Sequence, residues 1–200
     1  MTIRIGILIF DGAEELDFVG PYEVFTMAGF MKADCCETVL IAERMAPVAC
    51  AKGMTVMPHT TLTECGKLDV LLIPGGHGTR REVDNRPLLE WIAAVAATAT
   101  WATSVCTGAM LLTAAGPARG KRVTTHWAFI ESLRARGEAA EVLEHYRYVQ
   151  DGNVVTAAGV SAGIDMALWL TGQIFGVPFA RGVQKRMEYE PLPPYGGLTA

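Results

Sequence analysis

The sequence predicts an α/β protein with a mostly parallel central sheet and helices on both faces of that sheet. Short apolar runs alternate with longer segments of helical periodicity, as a parallel sheet with helical crossovers requires. Of the 200 residues, 50% are hydrophobic and 19% are charged, which is an ordinary globular composition. Neither a repeat nor a linker divides the chain, so we expect a single domain over 1–200.

Five apolar, β-prone runs predict strands. They lie at 3–10, 38–42, 70–74, 101–105 and 121–125. Apolar runs of this kind are typical of parallel strands that are covered on both faces. A loose alternation around Gly53 predicts a β-hairpin over 48–58, and the DGN turn at 151–153 predicts a second hairpin over 142–156.

Segments with apolar residues at helical spacing predict six helices. They cover 16–29, 87–98, 107–116, 127–136, 161–175 and 177–189. Pro21 fits only in the first turn of its helix, because proline has no N–H to donate to the preceding turn. The Pro- and Gly-rich tail, 190–200, is predicted to be extended. The order of these elements predicts a flavodoxin-like three-layer α/β/α sandwich.

The charge and the composition exclude several classes of function. The net charge is −4 and there is no basic tract, so we expect no nucleic-acid partner. No apolar run is long enough for a signal peptide or a membrane span, which predicts a cytoplasmic protein with no membrane partner. Four histidines lack the spacing of a metal site, and five cysteines are an odd number, so we expect no metal and free thiols.

Cys106 is the candidate nucleophile. It lies in the segment SVCTGA, between a strand and a helix, with small residues around it. This is the pattern of a nucleophile elbow, a tight turn that exposes its central side chain above the sheet. The adjoining helix N-terminus predicts a lowered thiol pKa. The cysteines that do not precede a helix in this way are predicted to be structural: Cys35, Cys36, Cys50 and Cys65.

Two further loops should meet Cys106 at the carboxyl edge of the sheet, where open parallel sheets bind ligands. Gly75 and Gly76 follow a buried strand. Their N–H groups, together with that of Thr107, predict either an oxyanion hole or an ordinary loop. Asp17 is predicted either to exchange a proton with the thiol or to cap the first helix.

Three more residues bear on these roles. Glu14 and Glu15 lie beside Asp17 and compete with it as the carboxylate of the site. His126 follows another strand end, where it predicts either a wall of the substrate pocket or a hydrogen-bonded structural histidine.

Motifs along the whole chain resemble those of the DJ-1/PfpI superfamily. They are GAEELD, DVLLIPGG, SVCTGA, TTHW, DGNVVTAAGVSAGID and EYEPLPPYGG. Within the superfamily the chain is most similar to the bacterial isocyanide hydratases, through Asp17 with GPYEVF shortly after it, Thr107 directly after the cysteine, and RGKRVTTHW. The resemblance implies the variant of the sandwich that class I glutamine amidotransferases share, and a homodimer with its active sites near the interface.

The resemblance also implies a hydro-lyase that needs no cofactor. The Cys106 thiolate would attack the terminal carbon of an isocyanide, and Asp17 would supply the proton that gives a thioimidate. Water would then release an N-substituted formamide and regenerate the thiol. Thr107 would help to hold and polarise the site of this small-molecule substrate through its backbone N–H and its hydroxyl, and Gly75 and Gly76 would close the anion site.

Two departures from the hydratases concern the substrate. Ala157 and Ala158 stand where those enzymes are richer in glycine, and the chain is shorter at its C-terminus. One alternative is a glyoxalase or deglycase that acts on α-oxo aldehydes with help from His126, and another is a non-enzymatic redox sensor at Cys106. A peptidase is disfavoured because Thr107, not histidine, follows the cysteine. A glutamine amidotransferase is disfavoured because 157–165 contains no histidine.

Overall fold

The computed structural model describes residues 2–190, and within them a seven-stranded sheet forms the centre of the molecule. The strands are β1 (Ile3–Leu8), β2 (Cys36–Ala42), β3 (Val48–Ala49), β4 (Thr55–Val56), β5 (Thr60–Thr61), β6 (Val70–Ile73), β7 (Trp101–Val105), β8 (Arg122–Val123), β9 (Glu141–Val142), β10 (Tyr148–Asp151) and β11 (Val154–Ala157). The sheet order is β10-β11-β7-β6-β1-β2-β5. Every neighbouring pair in it is parallel except β10 and β11, which confirms a mostly parallel sheet with a β-hairpin.

Helices cover both faces of this sheet. They are α1 (Glu15–Met31), α2 (Thr79–Glu82), α3 (Arg86–Ala96), α4 (Gly108–Ala115), α5 (Ile130–Ala135), α6 (Ala162–Phe175) and α7 (Val177–Arg186). α1, α6 and α7 pack on one another over one face, and α3 packs on α4 over the other. Because both faces are covered, β6 is wholly buried and apolar, and β1 is buried and apolar from Ile5 to Leu8. The predicted α/β sandwich is therefore confirmed.

The position of Pro21 in the first helix differs from the prediction. α1 begins at Glu15, so Pro21 lies in the helix interior, where it removes one backbone hydrogen bond at a typical cost of about 3 kcal/mol. The proline is buried, and it faces Gly163 of α6: a Cβ on Gly163 would lie 3.3 Å from Pro21 Cγ. Close packing between α1 and α6 offsets the lost bond, so the helix continues through the proline.

The region after α4 is a second correction. The predicted strand at 121–125 is shortened to β8 and pairs with β9 in a small separate sheet. The predicted hairpin over 142–156 is confined to β10 and β11, because Val142 pairs with Val123 instead. The DGN turn and the predicted hairpin over 48–58 are both confirmed. Of the predicted extended tail, all but Glu190 lies outside the described residues.

Candidate active site

Cys106 forms a strained turn between β7 and α4. Its φ angle is +56°, a left-handed conformation that residues other than glycine rarely adopt. The turn is held from two sides. The Cys106 amide donates to the carbonyls of Ala157 and Ala158 at 3.1 and 2.9 Å, and the Cys106 carbonyl accepts from the Thr125 hydroxyl at 2.7 Å. The cysteine therefore has the backbone geometry of a nucleophile elbow.

The elbow also has to be tight, and Gly108 shows why. A Cβ at this position would lie 2.3 Å from the Ile73 carbonyl oxygen at the end of the neighbouring strand β6. Only glycine allows α4 to begin this close to the sheet. As a result the N-terminus of α4 lies directly behind the thiol.

Asp17 lies in the first turn of α1 and is fully buried. Its Oδ2 accepts from the Gly75 amide at 2.8 Å, and its Oδ1 has no hydrogen-bond partner among the described residues. Burial raises the pKa of this carboxyl to about 7, the charge of Glu14 adds to the rise, and the Gly75 amide opposes it. Glu14, not Asp17, occupies the N-cap position of α1, so the helix-capping alternative for Asp17 is wrong.

The neighbouring carboxylates are engaged elsewhere. Glu15 Oε1 accepts from the amides of Lys52 and Met54 at 2.7 and 3.3 Å, on the turn between β3 and β4. Glu14 forms an ion pair with the Lys52 ammonium group. Of the three acidic residues at this helix start, Asp17 is the one whose carboxylate bonds to the glycine loop beside the elbow.

The predicted lowering of the Cys106 pKa is wrong for this structure. Burial raises the pKa of the thiol to about 12, and the nearby Asp17 charge raises it further, against opposing hydrogen bonds from Thr107. Burial is the largest cause because Cys106 is only 6% exposed. The thiol therefore keeps its proton at rest, and a base must remove that proton before the sulfur can attack.

The glycine loop packs directly against the elbow. A Cβ on Gly75 would lie 2.5 Å from the Thr107 amide nitrogen and 2.8 Å from Cys106 Cβ. The Gly76 amide donates to the Thr107 hydroxyl at 3.0 Å, and the Thr79 hydroxyl lies 3.1 Å from the same oxygen. The Gly75 and Gly76 amides, for which the sequence predicts either an oxyanion hole or an ordinary loop, bond in this structure to Asp17 Oδ2 and to the Thr107 hydroxyl.

His126 lies beside the elbow and is half-buried. Its Nδ1 accepts from the Ala128 amide at 3.2 Å and caps the short 3₁₀ turn at Trp127–Phe129. The ring lies against Gly159, where a Cβ would come 2.2 Å from His126 Cδ2. With Trp127, Tyr146 and other residues it lines a cavity of about 410 Å³. His126 is therefore a hydrogen-bonded structural residue that also lines this cavity, and its place in the wall of the substrate pocket stays a prediction.

The other cysteines lie away from the elbow, as predicted. All five thiols are free among the described residues. The Cys35 and Cys36 sulfurs are 3.7 Å apart, and burial together with Cys35 raises the pKa of Cys36 to about 12. Burial also raises the pKa of Cys50 to about 11.

Sequence and structure comparisons agree on the family. The DJ-1/PfpI family model matches residues 3–173. The chain therefore belongs to the DJ-1/PfpI family.

Isonitrile hydratase from Pseudomonas putida is 40% identical over 195 residues, covering 98% of this chain and 82% of that protein. A crystal structure of a ThiJ/PfpI family protein from Pseudomonas syringae matches with a TM-score of 0.88 and 31% identity, over 98% of this chain and 78% of the other. Drosophila melanogaster DJ-1beta has a similar fold, with a TM-score of 0.84 at 21% identity over 95% and 100% of the two chains.

Three residues of this DJ-1/PfpI site were missed by the sequence reasoning. Thr125 holds the Cys106 carbonyl, and Thr79 joins the hydroxyl cluster at Thr107. Val160 has a φ of +52°, which is an outlier for a β-branched residue, and its backbone amide acts on Asp17 by lowering the carboxyl pKa. The two threonines of TTHW were a usable signal, because they follow a strand end. Nothing in the sequence marks the strained valine.

Two observations concern metal binding and membrane crossing. Within residues 2–190, no three histidine, cysteine or acidic side chains cluster closely enough to hold a metal ion. In the same part of the chain, no helix has both the length and the apolar character that a membrane crossing needs.

Replacing Thr125 with valine is expected to lower the free energy of unfolding by about 1–3 kcal/mol, because the buried Cys106 carbonyl loses its 2.7 Å hydroxyl bond and keeps only a 3.4 Å bond from the Ala109 amide. Urea denaturation measures this loss. The matched control is Thr171→Val, since the buried Thr171 hydroxyl bonds to Ala167 O within α6, where that carbonyl also has a helical partner. Equal losses in the two variants would show that Thr125 does not hold the elbow.

Proposed function

We propose that this chain is a cysteine-dependent hydro-lyase that converts an isocyanide and water into an N-substituted formamide. The observation that carries the proposal is the pairing of a strained, protonated cysteine with a buried carboxyl whose pKa lies near neutrality. A group with such a pKa can both accept and return a proton at physiological pH. The 40% identity with an isonitrile hydratase supports this reaction over others of the family.

The first half of the reaction joins the thiol to the substrate. Asp17 accepts the Cys106 proton on its free Oδ1 as the sulfur attacks the terminal isocyanide carbon. Asp17 then returns that proton to the same carbon, which gives the thioimidate R–N=CH–S–Cys106. The addition consumes one thiol and one isocyanide, and no other reactant. Burial suits this step because the substrate is uncharged and the proton only shuttles between two neighbours.

The second half consumes water. Asp17 takes a proton from a water molecule that adds to the thioimidate carbon, and passes that proton to the nitrogen. As the C–S bond breaks, the remaining hydroxyl proton of the adduct passes through Asp17 to the leaving thiolate, and R–NH–CHO is released. Thr107 serves both halves by fixing the elbow against Gly76, so that the sulfur and the carboxyl keep their relative positions.

Formamide production from p-nitrophenyl isocyanide is the test of this function. Wild-type protein and Cys65→Ala, which removes a buried cysteine far from the elbow, should both produce the formamide, and Cys106→Ala should not. Formamide production that persists in Cys106→Ala would contradict the mechanism.

The same preparations distinguish the alternatives. Turnover of methylglyoxal, with no turnover of the isocyanide, would replace the proposal with glyoxalase chemistry. Activity with neither substrate, together with peroxide-dependent conversion of Cys106 to its sulfinic acid, would replace it with redox sensing.

A further inference from the structure

Lys52 reaches the active site from a different part of the fold. It lies on the turn between β3 and β4, and its ammonium group pairs with the Glu14 carboxylate at the start of α1. The Lys52 side chain is 68% exposed, whereas that of Glu14 is only 15% exposed. The ion pair therefore joins a solvent-facing cation to a largely buried anion.

The turn that carries Lys52 is fixed firmly against the start of α1. The Ala51 amide donates to the Ala13 carbonyl at 2.8 Å, and the Gly12 amide donates to the Ala49 carbonyl at 2.7 Å. The Lys52 amide is itself bound by the Glu15 carboxylate. Because the backbone is held at these points, the lysine side chain can be changed without releasing the turn.

Glu14 is close enough to the reacting pair to influence it. It lies three residues before Asp17, and the Asp17 amide donates to the Glu14 carbonyl at 3.2 Å, so the two carboxyls are neighbours in the first turn of α1. The Glu14 amide donates to the Gly75 carbonyl at 2.9 Å, which brings the residue against the loop that binds Asp17. The negative charge of Glu14 raises the pKa of both Asp17 and Cys106.

The other charged groups around the Asp17–Cys106 pair have hydrogen-bond or ion-pair partners of their own, and two histidines also face the site. Arg80, from α2, donates to the Gly76 carbonyl at 2.8 Å and lies over the Phe129 ring. Asp165, from α6, is bound by Arg147. Two histidines face the site from neighbouring loops, His126 against Gly159 and His77 against Gly12. Glu15 is bound to the amides of the hairpin turn, as described above.

We propose that Lys52 is a positioning residue for the Asp17–Cys106 pair, and that it acts by neutralising the Glu14 carboxylate. Without the lysine, the charge of Glu14 would act in full on the two reacting groups and oppose their ionisation. Without Glu14, both groups would ionise more readily. Any consequence for turnover rests on the proposed function, whereas the consequence for thiol reactivity does not.

Alkylation of Cys106 by iodoacetamide tests this proposal without any substrate, since its rate follows the thiolate fraction. The rate is measured between about pH 7 and pH 9.5 by mass spectrometry of the Cys106 peptide. At a fixed pH we expect Lys52→Met to slow alkylation by about 3- to 10-fold and Glu14→Gln to accelerate it by a similar factor. The double variant should return close to the wild-type rate, because the two changes cancel.

Matched controls separate this effect from a change in net charge or in folding. Lys67→Met and Glu90→Gln remove the same charges at exposed positions on other elements and should leave the rate unchanged. Lys52→Arg keeps the charge and should also keep the wild-type rate. Equal rates for Lys52→Met and Lys67→Met, or a double variant slower than either single variant, would overturn the proposal.

The pH profile of formamide production adds a second measurement. Its limbs should move to higher pH in Lys52→Met and to lower pH in Glu14→Gln. Normal alkylation shifts with no formamide in any variant would refute the hydratase function and leave the role of Lys52 standing. Formamide production with unmoved alkylation rates would refute only the role of Lys52.

Discussion

Replacing Asp17 with asparagine should abolish most formamide production and at the same time stabilise the protein at neutral and higher pH. Asparagine keeps the shape of the side chain and can accept from the Gly75 amide, but it cannot shuttle the Cys106 proton. General acid–base catalysis by a positioned group typically contributes about 10²- to 10⁴-fold, and we expect a loss of that size. Steady-state kinetics with p-nitrophenyl isocyanide measures it.

The gain in stability follows from the raised pKa of the Asp17 carboxyl. The folded pKa is about 7, against an ordinary value of 3.8, so the folded state binds the proton more tightly than the unfolded chain. This contribution is complete below pH 3.8 and is lost as the pH rises through about 7. The loss amounts to as much as roughly 4 kcal/mol at about 1.4 kcal/mol per pKa unit, and Asp17→Asn avoids it.

Urea denaturation between about pH 4 and pH 8 tests this second effect. The free energy of unfolding of the wild type should fall across that range relative to that of Asp17→Asn. Glu15→Gln is a suitable comparison. Burial raises the Glu15 pKa less than hydrogen bonds from its own amide and from the Lys52 and Met54 amides lower it, so the Glu15 pKa shifts in the opposite direction. A parallel pH dependence for wild type and Asp17→Asn would contradict the assignment of Asp17 as the neutral-pH acid.

Replacing Gly75 with alanine is expected to have the second largest effect. The added methyl group would lie 2.5 Å from the Thr107 amide nitrogen, which belongs to the backbone and cannot swing aside. Gly75 itself is held by its bonds to Asp17 and Glu14. Because the Thr107 amide and Gly75 are both fixed, the clash can be relieved only by a shift that moves the Asp17 carboxyl away from the Cys106 sulfur. A misplacement of about 1 Å can cost on the order of 10²-fold in rate, and overpacking costs about 1–3 kcal/mol of stability.

The control for this glycine is Gly172→Ala in α6. A methyl group there would lie 3.6 Å from Ala180 Cβ, an ordinary contact distance. Alanine in a helix interior should stabilise the protein by about 0.5–1 kcal/mol and leave activity unchanged. If Gly75→Ala retained wild-type turnover while Gly172→Ala behaved as expected, the close packing of loop and elbow would not be needed for catalysis.

Much of the site could be predicted from the sequence because its pattern is local. The run from β7 through Cys106 into α4 is continuous in sequence, and the glycine pair directly follows the apolar residues of β6. The rule that parallel strands present their carboxyl ends at one edge then brings Asp17 and Gly75 together, although they are far apart along the chain.

What could not be predicted depends on burial and on long-range hydrogen bonds. The sign of the Cys106 pKa shift was wrong because the sequence shows the helix N-terminus and does not show how deeply the thiol is buried beside Asp17. The Pro21 position was wrong because the cost of a proline is local, whereas the compensating contact with Gly163 is between distant helices. The role of Thr125 could not be predicted because its hydroxyl bonds to the backbone carbonyl of Cys106, which lies in a different part of the fold.

The outermost strands of the sheet affect how readily copies of this protein pair through their sheet edges. An open sheet exposes unpaired backbone groups along its two edges, and these can recruit a strand from a second molecule. At one edge β5 has only two residues, too few to template a long pairing. At the other edge β10 lies beside β8, and the Arg122 amide donates to the Asp151 carboxylate at 2.9 Å. One edge thus ends in a two-residue strand and the other lies beside the small β8–β9 sheet, and both features limit pairing with a strand of a second molecule.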